Sequence, residues 1–303
     1  MKFPSPSSAE AVVSVSELSR RFGEKVALDN VSIYVPKGTV FGLIGENGAG
    51  KTTLIKHILG LLAAESGTVR VFGSDPTSDP VRVLGRIGYL SELPEIPGWM
   101  QVQELIRYMK AFYPKWDSVY AAALLEEFGL NPAQRISTLS KGQVTKAGLL
   151  VAQAHRPELL LLDEPSSGLD PMVRREILEA VIRVVADEGR TVFFSSHFLD
   201  EIERVSDHIA MLHQGKLTFC GSLDDIKERH RVVSMRFRES QIKPPEIQGA
   251  LGVTGASRDW TCLNQGPSDK LSSLIIQRGG QILDEHPPTL HEIFVAYAGT
   301  NES

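Results

Sequence analysis

Along the first 222 residues of the chain, segments whose apolar residues have the periodicity of a β-strand alternate with segments whose apolar residues have the periodicity of an α-helix. Short segments with alternating or continuous apolar residues predict β-strands, whereas apolar residues that recur at helical spacing predict α-helices. The predicted strands are 12–18, 26–35, 39–44, 67–72, 87–90, 159–162, 191–195, 209–212 and 216–220. The predicted helices are 51–62, two segments of 102–128 separated near Pro114, 141–155 and 172–186. This alternation favours an α/β fold with a mostly parallel sheet and helices on both faces.

The pattern changes after about residue 222, and the segment 240–270 is richer in glycine, proline and polar residues. We interpret residues 1–10 as a flexible tail, 11–230 as one large domain and 231–303 as a small α+β appendage. The appendage has four possible roles: regulation, ligand binding, dimer contact or stabilisation of the large domain, of which the last two are favoured. The predicted elements of this region are helices 224–230, 271–278 and 289–297 and a strand 232–237.

Composition excludes several classes of protein. With 42% hydrophobic and 23% charged residues, the chain is typical of globular proteins and not of disordered or fibrous ones. The net charge of -5 lacks the basic excess of a nucleic-acid-binding protein, so no nucleic acid is expected as a partner. The two cysteines form no disulfide framework, which suits a reducing cytoplasm. Since no apolar run reaches the ~18 residues of a membrane span and no secretory signal is evident, a partner must recruit the chain to any membrane.

The segment 45–52, with the sequence GENGAGKT, matches the phosphate-loop pattern G-x-x-x-x-G-K-[ST]. Its glycines let backbone N–H groups approach a phosphate closely, and the following helix directs its N-terminal dipole at the same anion. Lys51 can reach the β- and γ-phosphates of a nucleotide, and Thr52 can offer its hydroxyl to Mg²⁺. The alternative is a chance glycine-rich turn, but the match follows a predicted strand and opens a predicted helix, as the chemistry requires.

Two carboxylates, Asp163 and Glu164, follow the apolar segment 159–162. Continuous apolar residues predict a strand that is buried on both faces, and ligands of parallel sheets bind at the carboxyl ends of such strands. Asp163 would hold Mg²⁺ directly or through water, and Glu164 would accept a hydrogen bond from the attacking water as base or orienting group. A carboxylate pair after a strand is by itself more often a solvated turn, but the phosphate loop favours the functional interpretation.

Two further segments and one histidine narrow the families that the chain resembles to one. Residues 139–143 (LSKGQ) are similar to the signature motif of ATP-binding cassette (ABC) proteins, with Lys141 where a glycine is usual. Residues 166–170 (SSGLD) resemble the D-loop of that family, and His197 resembles its switch histidine. Ser140 also has the alternative of a plain helix N-cap, and His197 that of a buried structural histidine. The motifs occur in the order of the family, and the resemblance covers about residues 12–222.

Two positions fit the family less closely. Phe22 lies where ABC proteins place an aromatic ring against adenine, and a core aromatic is its alternative. Glu92 lies where most members have the glutamine of the Q-loop, and a surface carboxylate is its alternative. As a ligand, Glu92 would serve Mg²⁺ or its bound water with a negative charge that an amide lacks.

The resemblance implies a P-loop NTPase cassette with a RecA-like core, an N-terminal antiparallel β subdomain and a helical subdomain over about 92–155. Two cassettes, identical or homologous, would pack head to tail around two ATP molecules, with Ser140 and Gly142 of one capping the γ-phosphate held by the other. Asp170 would report one site to the other. The residues expected to contact ATP are Phe22, Gly45, Asn47, Gly48, Ala49, Gly50, Lys51, Thr52, Thr53, Ser140, Gly142 and Gln143. Mg²⁺ is assigned to Thr52, Asp163 and Glu92, and catalysis to Glu164, His197 and Lys51.

Within the family, the chain resembles the ATP-binding subunits of bacterial ABC-2-type exporters. Lys141, Glu92, the segment 113–117 (YPKWD) and the segment 289–294 (TLHEIF) carry this resemblance. It implies an ATPase that docks through 92–113 onto a separately encoded integral membrane permease, peripheral to the cytoplasmic face of the cell membrane. A non-transport ABC ATPase that acts on a soluble or nucleic-acid assembly is the alternative from another class. A weakly catalytic subunit that uses ATP mainly to dimerise is a third.

Overall fold

The computed structural model describes residues 11–186, 189–241, 243–266 and 268–299. The chain divides into two compact units, one ending at Cys220 and the other beginning at Gly221. The predicted boundary at residue 230 falls inside the second unit, at the first residue of a strand. The predicted flexible tail, residues 1–10, lies outside the described residues.

The first unit contains strands and helices in alternation, as the hydrophobic pattern predicts. Its strands are β1 (Ala11–Phe22), β2 (Lys25–Pro36), β3 (Val40–Ile44), β4 (Ser66–Val71), β5 (Ile87–Leu90), β6 (Leu159–Asp163), β7 (Thr191–Ser196), β8 (His208–His213) and β9 (Lys216–Ser222), of which β9 ends two residues past Cys220. Its helices are α1 (Lys51–Ile58), α2 (Pro80–Leu84), α3 (Val102–Lys110), α4 (Ser118–Glu127), α5 (Lys141–Gln153), α6 (Pro171–Ala186) and α7 (Leu199–Val205). The α/β fold class is thereby confirmed.

The six-stranded sheet has the order β5-β6-β7-β3-β8-β9, and the pairs from β5 through β8 are parallel. The strands β3, β6 and β7 are buried along their whole length, which explains their continuous apolar sequences. Phe41 and Phe193 are register partners on β3 and β7, and their rings stack with centroids 5.3 Å apart. Because these strands run in one direction, their carboxyl ends meet at one edge of the sheet.

A second sheet of the first unit is antiparallel, with the order β2-β1-β4. A tight hairpin pairs Phe22 with Lys25 and carries Gly23 at a φ of 60°. The sheet therefore corresponds to the N-terminal antiparallel subdomain that the resemblance implies. The helices α3, α4 and α5 lie within the segment 92–155, where the helical subdomain is expected.

The second unit is a small α+β domain, as predicted. Its strands β10 (His230–Gln241), β11 (Ala250–Gln265) and β12 (Gly280–His286) form an antiparallel sheet with the order β11-β10-β12. Its helices are α8 (Leu223–Glu228), α9 (Ser268–Gln277) and α10 (Leu290–Gly299). A separate apolar core centres on Val233, Met235, Phe237, Trp260 and Ile275.

Several predicted elements need correction. The predicted helix 51–62 ends at Ile58, because Gly60 takes a left-handed φ of 69°. The N–H groups of Gly60 and Leu61 bond the carbonyls of His57 and Lys56, which closes the helix in a Schellman motif. The segment 240–270 contains the long strand β11, whose pairing with β10 outweighs its glycine-rich composition. Besides β11, the pattern also missed α2, α7 and β12. No helix in the described ranges has the length and apolar character of a membrane span.

Acid should destabilise this fold through His57 on α1. The imidazole is 1% exposed, and neither ring nitrogen has a hydrogen-bond partner among the described residues. Burial, with a smaller contribution from Arg20, lowers the pKa of His57 from 6.5 to about 4. As the pH falls from 6.5 towards 4, His57 therefore binds a proton in the unfolded chain but stays neutral in the folded chain. At ~1.4 kcal/mol per pKa unit, the loss of stability from this group reaches about 3 kcal/mol.

We predict that His57→Leu reduces the fall in unfolding free energy between neutral pH and pH 4, measured by urea denaturation. His291→Leu, at an exposed histidine, is the matched control and should leave the slope with pH unchanged. An unaltered pH dependence in His57→Leu would show that His57 does not carry the effect.

Candidate active site

The phosphate loop connects β3 to α1 and is shaped by glycine. Gly48 and Gly50 have φ values of 86° and 108°, in the left-handed region that favours residues without a side chain. A Cβ atom on Gly50 would also lie 2.5 Å from the carbonyl oxygen of Ala27. Gly50 is the N-cap of α1 and offers no capping side chain, so the first N–H groups of the helix are left for a ligand.

Lys51 holds the loop closed. Its Nζ donates to the carbonyl oxygens of Gly45 at 2.6 Å and Glu46 at 3.2 Å. The same Nζ lies 2.9 Å from Oε1 of Glu164. Both side chains are 6% exposed, so this ion pair is buried and each charge depends on the other for compensation.

Asp163 lies at the carboxyl end of β6, beside the loop. Its Oδ1 accepts a hydrogen bond of 2.7 Å from Oγ of Ser195, its register partner on β7, and its carboxylate also accepts from Thr52. Burial, with the nearby charge of Glu164, raises the pKa of Asp163, and the two hydroxyl donors oppose that shift. The carboxylate is therefore oriented against the first turn of α1.

Glu164 occupies a constrained backbone position between two basic groups. Its φ is 49°, a left-handed value that is uncommon for a residue with a side chain, and its N–H donates to Oγ of Ser195 at 3.0 Å. Oε2 lies 2.7 Å from Nδ1 of His197, while Oε1 faces Lys51. The structure thus brings together all three residues that were assigned to catalysis.

Lys51 and Glu164 border a cavity of about 360 Å³, within the usual size of ligand pockets, whereas Asp163 and His197 are not among its lining residues in the described chain. Nine of the predicted site residues line it: Phe22, Asn47, Gly48, Gly50, Lys51, Thr52, Thr53, Glu92 and Glu164. Lys25, Ala27 and Glu46 complete the lining and were not predicted. Gly45 and Ala49 belong to the loop itself, and Ala49 donates its N–H to the carbonyl of Glu46 at 3.1 Å.

Phe22 and Glu92, the two positions that fit the family less closely, both line this cavity. Phe22 is 47% exposed and has the guanidinium of Arg20 4.8 Å from its ring centroid, so it is not a core aromatic. Glu92 is exposed and accepts a hydrogen bond of 3.1 Å from Oγ of Ser167. Both side chains border the same space as the phosphate loop.

Comparison with known proteins shows to which family the chain belongs. A family model described as ABC transporter matches residues 28–167. The bacitracin transport ATP-binding protein BcrA of Enterococcus faecalis is 33% identical, over 73% of this chain and 73% of its own length. The chain belongs to the ABC transporter family. The ATP-binding and ATP-hydrolysing function that the resemblance implied is thereby confirmed.

Two other comparisons extend this result. The ABC transporter ATP-binding protein YtrB of Bacillus subtilis is 28% identical over 95% of this chain and 98% of its own length. A solved structure described as the ATP-binding subunit of an ABC transporter aligns with a TM-score of 0.66 and 30% identity, over 72% of this chain and 92% of its own. The match to YtrB extends beyond the first unit into the second.

The signature segment of the cassette lies apart from this cavity. Ser140 caps α5, where its Oγ accepts from the N–H of Gln143 at 3.3 Å and the Gln143 side chain accepts from the N–H of Ser140 at 3.0 Å. Ser140, Gly142 and Gln143 are not among the cavity-lining residues of the described chain. The exposed Ser140 is therefore both an N-cap and available to another molecule.

Lys141, the departure from the usual signature, folds back onto its own cassette. A Cβ atom on Gly168 of the D-loop would lie 2.6 Å from Nζ of Lys141. Gly168 has a φ of 65°, so a residue with a side chain would be strained there as well. The lysine thus occupies space over the D-loop that only glycine leaves open.

Sequence reasoning missed Ser195, although it connects both carboxylates. The signal was present only as a hydroxyl at the end of an apolar strand, which is common in proteins. Its importance follows from the adjacency of β6 and β7, which pairs Asp163 with Ser195.

Lys51→Ala should weaken ATP binding by about 10- to 100-fold, because it removes a charged hydrogen-bond donor from the phosphate site. Isothermal titration with ATP measures the effect. Lys56→Ala, at an exposed lysine on the same helix, is the matched control and should bind as the wild type does. Equal affinities for all three proteins would contradict the assignment of the loop.

Proposed function

We propose that the chain is the ATPase of a bacterial exporter and that it hydrolyses ATP through Lys51, Glu164 and His197. The observation that carries the proposal is the position of Glu164, which contacts both basic side chains at the border of the cavity. A carboxylate in this place can receive a proton from water, and the two basic side chains can donate hydrogen bonds to the negatively charged oxygens of a phosphate.

The chain's own residues perform distinct parts of this reaction. The N–H groups of the phosphate loop bind the β- and γ-phosphates, and Lys51 adds a charged donor to them. Glu164 orients the attacking water and accepts its proton. His197 bonds the γ-phosphate and, through the 2.7 Å contact, keeps Glu164 aligned. The exposed ring of Phe22 stacks on the adenine.

The donor set also fits Mg²⁺. Thr52 and Asp163 are hydrogen-bonded to each other beside the loop, and Glu92 borders the same cavity, so hard oxygen donors converge there. When bound, the ion neutralises phosphate charge. Asp163 and Thr52 would hold it, with Glu92 bound directly or through water.

The separation of the signature from the cavity supports a head-to-tail dimer. Ser140 and the N–H of Gly142 lie at the N-terminus of α5, which favours anions, yet they do not line the cavity of their own described chain. A second cassette, identical or homologous, would place its signature over the γ-phosphate. ATP would then join two subunits, and its hydrolysis would release them.

Exposed apolar side chains mark a surface for a membrane permease. Trp99 is 70% exposed and Leu93 69%, and Tyr108 on α3 forms an exposed edge-to-face pair with Phe112, just beyond the end of that helix. Aromatic residues of this kind are typical anchors of protein interfaces. We place the subunit at the cytoplasmic face of the cell membrane, held there by the permease. The bacitracin transport protein BcrA and the daunorubicin/doxorubicin resistance protein DrrA among the relatives favour export.

Glu164→Gln should retain ATP binding and lose turnover by about 100- to 10,000-fold, because the amide cannot take the proton of the attacking water. Phosphate release measures turnover, and light scattering with ATP should detect an accumulated dimer. The exposed Glu179→Gln is the matched control with unchanged turnover. A monomeric Glu164→Gln protein of wild-type activity would refute the role of Glu164.

Affinity purification from detergent-solubilised membranes of the native host tests the transporter assignment. We expect a polytopic membrane protein to copurify in stoichiometric amount, and Trp99→Ala to reduce its capture by at least about fivefold. Val81→Ala, at another exposed apolar residue, should leave the capture unchanged. Copurification with ribosomes, DNA or a soluble assembly in place of a membrane protein would instead favour a non-transport ABC ATPase.

A further inference from the structure

A buried carboxylate outside the catalytic group connects two parts of the cassette. Glu201 lies in the first turn of α7 and is 4% exposed. Its Oε2 accepts hydrogen bonds from Oγ of Ser166 at 2.6 Å and from Oγ of Ser196 at 3.0 Å. Ser166 belongs to the D-loop, and Ser196 directly precedes His197. One oxygen atom thus holds two segments that are distant in sequence.

Arg174 of α6 compensates the charge of this carboxylate. Its Nε lies 3.2 Å from Oε1 of Glu201, and its guanidinium lies 3.9 Å from the ring centroid of Phe198. Burial raises the pKa of Glu201, and the charge of Glu164 adds to the shift, while the hydroxyl donors and Arg174 oppose it. Both oxygens of the Glu201 carboxylate thus face donor groups, two hydroxyls at Oε2 and a guanidinium at Oε1.

The support of α7 leaves Glu201 little room to move. A Cβ atom on Gly42, in the middle of β3, would lie 2.6 Å from Oγ of Ser206 and 2.8 Å from Ile202. The helix is therefore seated directly on the strand that leads into the phosphate loop. Glu201 is anchored to the sheet, whereas Ser166 lies in the D-loop and Ser196 is the last residue of β7, directly before His197.

Ser196 relates Glu201 to the catalytic histidine. Its hydroxyl donates to Glu201 and accepts from the N–H of Phe198 at 3.0 Å, so hydrogen bonds constrain the backbone on both sides of His197. Ser196 and Ser166 donate to the same oxygen of Glu201, so a movement of Ser196 together with His197 would also change the hydrogen bond from Ser166. This shared oxygen is a route by which His197 and the D-loop would affect each other.

We propose that Glu201 is a positioning residue that couples His197 to the D-loop, and so couples ATP hydrolysis at one site of the dimer to the other. The proposal rests on the proposed function of the site. Glu201 contacts no reacting atom and acts through Ser196 and Ser166. Its replacement should therefore alter kcat and cooperativity, and leave nucleotide binding by the phosphate loop intact.

The experiment measures the ATP dependence of hydrolysis by the full chain. For Glu201→Gln we expect kcat to fall about tenfold or more, a Hill coefficient closer to 1 than that of the wild type, and an ATP dissociation constant within about twofold of the wild type. Asp200→Asn makes the same carboxylate-to-amide change at an exposed position of α7 and should match the wild type.

Ser166→Ala tests the connection with the carboxylate retained, which avoids a variant that fails to fold. It should reproduce the loss of kcat, and Ser166→Ala/Glu201→Gln should be no slower than Glu201→Gln alone, since both remove one connection. If the two substitutions lowered kcat independently, so that their effects multiplied in the double variant, the proposal would be overturned. So would a loss of activity that only follows the loss of folded protein in thermal unfolding.

The controls separate this inference from the proposed function. Wild-type chain without ATPase activity would contradict the proposed function itself. The alternative outcome is that the wild type hydrolyses ATP, Glu164→Gln abolishes this activity, and Glu201→Gln changes neither the activity nor the Hill coefficient. This result would overturn only the role of Glu201.

Discussion

The parallel pairing of β3, β6 and β7 is the constraint on which the active site depends. The strand β6 pairs with β7, and β7 pairs with β3, so their carboxyl ends share one edge of the sheet. The phosphate loop, the two carboxylates and His197 follow these strands in turn and meet there, although more than a hundred residues of sequence separate the first from the last. The contacts of Glu164 with Lys51 and His197 exist only because the strands are in this order.

Function rather than stability explains the buried charges at this edge. An ion pair with both side chains 6% exposed loses much hydration, and apolar residues of equal size are often as stable. The left-handed backbone of Glu164 adds strain. The result is a carboxylate held between Lys51 and His197 at the border of the cavity.

Two neighbouring serines at the end of β7, Ser195 and Ser196, bond different residues. Successive side chains of a strand point to opposite faces. Ser195 accordingly bonds Asp163 and the N–H of Glu164, while Ser196 bonds Glu201. One face of the strand thus contacts Asp163 and Glu164, and the other contacts the carboxylate of Glu201, which also bonds Ser166. Two small hydroxyl groups serve this purpose because they reach buried oxygens without disturbing the apolar packing.

The sequence by itself determined the local elements and the motifs. Apolar runs identified β3, β6 and β7, and the glycine spacing identified the phosphate loop, since both depend on neighbours along the chain. It overextended α1, because the left-handed turn at Gly60 has no hydrophobic signal, and it missed β11, because a segment rich in glycine and polar residues has little strand signal until it pairs with β10. Tertiary structure alone decided that Ser195 orients Asp163 and that Glu201 holds Ser166 and Ser196, because these contacts require the strand order. The place of Lys141 over Gly168 was settled in the same way, by packing between segments that no local pattern relates.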